Sequence, residues 1–115
     1  MRLWKYFLIF LFLSSCTSNQ DPKFIANNQL IIDTHIDTPY RLYNQLKENG
    51  SYEDISQVTT FDFDYIKALE GGLNVSFFSI YLPARTQVDG SSFQLANELI
   101  DMVTTIVDNN SEHFF

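Results

Sequence analysis

A single cysteine, Cys16, is the only thiol in the 115-residue chain. One cysteine cannot close an intrachain disulfide, and a zinc site built on thiolates is excluded. Basic charge is scarce as well: Lys and Arg number 7 against 14 Asp and Glu, for a formal charge of −7. Nucleic acid is therefore a poor candidate partner, because phosphate binding needs a basic stripe. Long apolar runs are missing too, and no stretch reaches the ~20 residues of a membrane-spanning helix. The length allows one domain at most. What is present is an ordinary globular share of hydrophobic residues, 45%, in an acidic chain. Those bounds leave a small acidic domain or a piece of a larger one.

The first fifteen residues read as an address. Arg2 and Lys5 supply positive charge, and Tyr6 to Leu13 is an uninterrupted apolar run of 8 residues. That length suits the hydrophobic region of a signal peptide and is too short to cross a bilayer. The run passes directly into Leu13-Ser14-Ser15-Cys16. With a Leu three before the Cys and small residues just before it, this segment resembles the bacterial lipobox. The resemblance implies that residues 1–15 are a lipoprotein signal peptide and that lipidated Cys16 becomes the mature N-terminus. An ordinary signal with an incidental cysteine is the plainer alternative. Residues 16–23, polar and holding a Pro, are expected to form a tether. Cleavage removes Arg2 and Lys5, leaving 5 basic against 14 acidic side chains, a charge of −9. No acidic residue directly follows Cys16, which resembles an outer-membrane sorting signal. The expected location is the bacterial cell envelope, lipid-anchored, in the outer membrane where there are two membranes.

Residues 24–115 alternate strand and helix. Leu30-Ile31-Ile32 opens an apolar run that reads as a buried strand, leading into the polar cluster Asp33 to Thr38. Thr38-Pro39 marks a helix start, Leu42 and Leu46 sit four apart on it, and Gly50 ends it. Ser51 to Thr60 has no pattern and reads as a loop. Asp62 or Asp64 then caps a short helix through Glu70, with Gly71-Gly72 as its left-handed stop. Leu73 to Leu82 places large apolar residues on both parities, as in a strand buried on both faces of a parallel sheet. Pro83 ends it. Ser91 or Ser92 caps a long helix on which Leu95, Ala96, Leu99, Ile100, Val103, Ile106 and Val107 form one stripe. Asn109 and Asn110 close that helix. The order is that of a parallel α/β fold. Two strands do not complete such a sheet, so an N-terminal portion is expected, with an apolar edge along Leu73 to Leu82. Glu112 and His113 read as an exposed terminus.

The chemistry lies at His35 and Asp37. If extended backbone persists through Asp37, then Asp33, His35 and Asp37 share one side of the strand. A histidine and two carboxylates facing an interior are costly unless they are paired, hydrogen-bonded or metal-bound. Imidazole nitrogen and carboxylate oxygen suit zinc and similar divalent ions. The C-terminal ends of barrel strands are also where active sites sit. His-x-Asp alone is nevertheless common. The plain alternative is a loop in which Asp37 and Thr38 only cap the next helix. Tyr81 reads as packing, and Arg41 and Arg85 are given no role because only their charge speaks for one.

Three blocks, in order, carry a resemblance to a known family. Ile32-Asp33-Thr34-His35-Ile36-Asp37-Thr38-Pro39 resembles the opening strand of the membrane dipeptidases, the renal dipeptidase family of zinc peptidases. That strand carries Asp-Gly-His-x-Asp. Phe61 to Gly72 is similar to the family's segment before strand two. Val75-Ser76-Phe77-Phe78-Ser79-Ile80-Tyr81-Leu82-Pro83 is similar to its Gln-Phe-Trp-Ser-Val-Tyr-x-Pro strand. The match runs from about Gln29 to Val107.

The resemblance implies an α/β fold: the N-terminal portion of a metal-dependent (β/α)8 TIM barrel, truncated after about two βα units. His35 and Asp37 fall on two zinc ligands of a site that holds two Zn2+ ions in the complete family fold. Asp33 falls on a position that supports a ligand or is structural, and Thr34 stands where Gly is usual. The family's bridging Glu, two later His ligands and catalytic Asp come from strands beyond this sequence, so no catalytic residue is assigned here. The implied activity is zinc-dependent dipeptide hydrolysis, with this chain inactive by itself. The alternative is a non-catalytic envelope lipoprotein with a remnant metal site. Expected partners are a dipeptide substrate and the membrane, through lipidated Cys16, but no nucleic acid. A homodimer stays open for the complete enzyme.

Overall fold

Asp21 begins the first element of the computed structural model, which describes residues 21–114. Its carboxylate accepts from the Lys23 backbone N–H at 3.0 Å, and Pro22 fills the first helical position, so Pro22–Asn27 winds as α1. Helix α1 therefore starts inside the segment expected as a tether. Residues 1–15 and Cys16 lie outside the described residues.

Strand β1 (Ile31–Ile36) pairs in parallel with β2 (Leu73–Phe78). The register sets Ile31 beside Leu73, Ile32 beside Val75, Asp33 beside Ser76 and Ile36 beside Phe78. Helix α2 (Thr38–Asn49) follows β1 and stops at Gly50, whose φ of 75° is left-handed. A loop leads to α3 (Tyr65–Gly71), which ends at Gly72 with φ 77°. There the requirement for glycine is steric as well as conformational, since a Cβ would lie 2.8 Å from the Ala26 carbonyl oxygen of α1.

The loop between α2 and α3 is held by one buried carboxylate. Asp64 Oδ1 accepts from the Lys67 N–H at 2.8 Å, and Oδ2 accepts from the Thr59 N–H at 2.9 Å. Lys67 Nζ closes the pair at 2.8 Å from Oδ2. Asp64, rather than Asp62, is thus the cap of α3. Burial alone would raise its carboxyl, but the Lys67 ammonium and the two backbone N–H groups outweigh burial and hold it well below the usual carboxylate range.

Two short readings need correction. Strand β2 ends at Phe78 instead of Leu82. Its partner β1 stops at Ile36, so after the Ser79 N–H bonds to the Ile36 carbonyl at 2.9 Å no β1 backbone remains to pair with. Helix α4 (Arg85–Asp89) was not expected, and its only large apolar residue, Val88, is 90% exposed, so it carries no periodic signal. Thr86 stabilises its start by donating from Oγ1 to the Pro83 carbonyl at 2.8 Å.

Helix α5 (Ser92–Asn109) packs on α2. Its inward row is Leu95, Leu99, Met102 and Ile106. Ile100, expected in the stripe, is 48% exposed. Spacings of four, three and four keep the first row on one face, whereas Ile100 falls on the next row round. Ser91 precedes the helix but makes no side-chain cap; its hydroxyl bonds Asp89 Oδ1 at 2.6 Å instead.

The core is Leu42, Ile55, Met102 and Ile106, flanked by Leu46, Phe63 and Phe78. It lies between α2, α5 and the loop, with Phe63 meeting Phe78 edge-on at 5.4 Å. The sheet is less covered. Ile32 is 47% exposed and Phe77 58%, so β1 is not the buried strand expected, nor is β2 buried on both faces. Burial on two faces requires further layers, and among the described residues β1 and β2 have only each other as strand neighbours.

Candidate metal centre

Strand β1 carries His35 to the C-terminal end of the sheet, and the chain turns at the second residue after it. Asp37 has φ −85° and ψ 21°, so extended backbone ends at Ile36. The condition for placing Asp33, His35 and Asp37 on one side therefore fails at Asp37. The turn nevertheless brings the pair together: His35 Nε2 lies 3.2 Å from Asp37 Oδ1. Asp33 is used differently, its Oδ1 accepting from the His35 backbone N–H at 2.9 Å.

Asp37 occupies the N-cap position of α2 without capping it through its side chain. Pro39 stands in the first turn and offers no N–H to a capping oxygen. The carboxylate instead accepts from Ser79 Oγ, across the sheet, and faces His35. Both side chains are open to solvent, His35 at 71% and Asp37 at 63%. An exposed contact of this kind adds little to stability.

Open clefts lie at the two residues. One, of about 430 Å³, is lined by Asp37, Tyr40, Arg41, Gln45 and Tyr81 among others. The other, of about 370 Å³, is lined by Asp33, His35, Asp62, Phe63 and Lys67 among others. Tyr81 lies beyond the end of β2, 49% exposed on the wall of the first cleft, where it meets Tyr40 edge-on with centroids 5.2 Å apart. Arg41 is tied to Glu53 at 2.8 Å and lies over the Phe61 ring, while Arg85 donates to the Tyr40 hydroxyl at 2.9 Å.

A family model described as membrane dipeptidase (peptidase family M19) matches residues 20–115. The chain belongs to the membrane dipeptidase family. No curated protein and no solved structure matches it. The family is one of dipeptidase-type metallopeptidases, and the described residues form an α/β arrangement compatible with part of a larger α/β domain.

Imidazole and carboxylate are donors that suit the metal of a membrane dipeptidase. They are two in number. Among the described residues no group of three or more His, Cys, Asp or Glu side chains could hold a metal ion. Glu112 and His113 do not extend the pair. Glu112 is exposed, but His113 is not the free terminus expected of it: its ring stacks on Tyr65 with centroids 4.3 Å apart. Ser79 is the member of the site that reading along the chain missed. It falls on the Ser of the Gln-Phe-Trp-Ser-Val-Tyr-x-Pro block, but only the parallel register puts it beside Asp37.

Proposed function

We propose that this chain carries the first two strands of a (β/α)8 barrel and the first two ligands of a zinc dipeptidase. The observation that carries the reading is the release of Asp37 from capping. A carboxylate at a helix start that turns to a neighbouring histidine, on the C-terminal rim of a parallel strand, supports metal binding over helix capping. The uncovered apolar side chains Ile32 and Phe77 support the barrel, whose remaining strands and helices would bury them.

In the complete enzyme His35 and Asp37 would hold one of two Zn2+ ions. When bound, zinc polarises a carbonyl and makes water acidic enough to act as a nucleophile near neutral pH. This chain's own part is to present an imidazole nitrogen and a carboxylate together at the C-terminal end of one strand. The cleft beside Asp37, about 430 Å³, is in the size range of small-molecule sites and would take one end of a dipeptide. With two donors where a catalytic zinc uses three protein ligands, the 115-residue chain would not catalyse hydrolysis alone. Lipidation at Cys16 would hold the enzyme on the cell envelope. Dipeptides of the envelope would then be its substrates.

The ligand assignment is tested by grafting residues 30–40 onto the matching strand of an intact family member. Zinc content and dipeptide hydrolysis should survive the graft, and Asp37→Ala within it should remove most of both. Hydrolysis at the parent's rate by that variant would mean that the ligand assignment is wrong.

A further inference from the structure

We propose that Ser79 is a positioning residue for the Asp37 carboxylate. The inference rests on the reading of His35 and Asp37 as metal ligands, and it adds what holds one of them in place. Ser79 is the first residue after β2, and it makes two bonds across the sheet. Its N–H donates to the carbonyl of Ile36 at 2.9 Å, and its Oγ donates to Asp37 Oδ1. Ile36 is the last residue of β1, and Asp37 is where the chain turns into α2. One residue therefore anchors both the backbone before the turn and the side chain on it.

The anchor matters because nothing on the helix side does the same. Asp37 makes no cap bond to α2, and its side chain is 63% exposed. A carboxylate so placed would otherwise sample several rotamers, and ordering them would weaken any metal it binds. Ser79 also divides the two oxygens. Its hydroxyl engages Oδ1, and among the described residues no hydrogen bond reaches Oδ2. That oxygen keeps its lone pairs for another partner. Placement at the end of a strand, with a backbone bond of its own, makes Ser79 a firmer support than a loop hydroxyl. An outer group that orients a ligand in this way typically changes metal affinity by about 10- to 100-fold when removed.

The experiment measures Zn2+ binding to the full 115-residue chain by competition with a colorimetric chelator, with the His35→Ala/Asp37→Ala double variant as baseline. Ser79→Ala is expected to weaken Zn2+ by about tenfold. Ser79→Thr and Ser79→Val form a shape-matched pair that differs only in the hydroxyl. The Thr variant should bind near the wild-type level and the Val variant should behave like Ala. Equal affinities for Thr and Val overturn the proposal, because the hydroxyl then does nothing. Wild-type affinity in Ser79→Ala, with loss in Asp37→Ala, overturns it too while leaving the ligand assignment intact. Wild-type binding no stronger than the double variant's overturns the ligand assignment and this inference with it.

Discussion

Asp64 shows what a single buried charge does in this chain. Its two oxygens collect backbone N–H groups from Thr59 and Lys67 and the Lys67 ammonium, and they thereby fasten the loop and start α3. Because its folded pKa is depressed, its stabilising contribution is complete above about pH 4 and is lost as pH falls toward the folded value. Asp64→Asn should lower stability at neutral pH by about 1–3 kcal/mol, since a charged hydrogen-bond acceptor is removed from a buried site. It should also flatten the acid limb of a plot of urea midpoint against pH. An acid limb as steep as the wild type's would mean that other carboxylates control acid unfolding. Cys16 is the other residue with a single decisive test. Two or three acyl chains anchor stably, each buried CH2 contributing about 0.8 kcal/mol, so the mature protein should sediment with membranes and Cys16→Ala should stay unlipidated. Mass spectrometry that found an unmodified Cys16 in the membrane fraction would end the lipoprotein reading.

At the scale of elements, the glycine stops of α2 and α3 were legible and the end of β2 was not. Gly50 and Gly72 both stop helices with positive φ, but they differ in surroundings. A Cβ on Gly50 would meet nothing within 4 Å, whereas one on Gly72 would meet the Ala26 backbone at 2.8 Å. Gly50→Ala should therefore cost only the left-handed backbone penalty of about 1–2 kcal/mol. Gly72→Ala should cost more, or displace α1. Equal urea midpoints for the two variants would show that α1 does not rest against Gly72. The end of β2 has no comparable local mark. Residues 79–82 are as apolar as those before them, and they leave the sheet because β1 has already turned away at Asp37.

For the whole molecule, the mismatch between its core and its sheet is the main physical feature. The core is built by α2, α5 and the loop, around Leu42, Ile55, Met102 and Ile106. The sheet, which holds the candidate ligands, has exposed Ile32, Val75 and Phe77. A metal site on such a sheet has two donors and little packing to hold them in register. Purified from Thr17 to Phe115 and supplied with Zn2+, the chain should hydrolyse a panel of dipeptides no faster than its His35→Ala/Asp37→Ala variant. Turnover above that variant would overturn the reading of the chain as inactive alone and would mean that a second copy of the chain supplies the missing ligands.

Reading along the chain was enough to determine what neighbours within about four residues control. A cap of α3 at Asp62 or Asp64, the stops at Gly50 and Gly72, and the helical spacing of Leu95, Leu99 and Ile106 all belong to that class. Their signals are local because caps, turns and helix faces are made by local bonds. Only the tertiary structure decided that Asp37 faces His35 and not the helix, that Met102 rather than Ile100 enters the core, and that Ser79 reaches Asp37 from 42 residues away. Those outcomes depend on the register of β1 against β2 and on the face α5 turns to α2. No residue carries such information by itself, because a register is a property of two strands together.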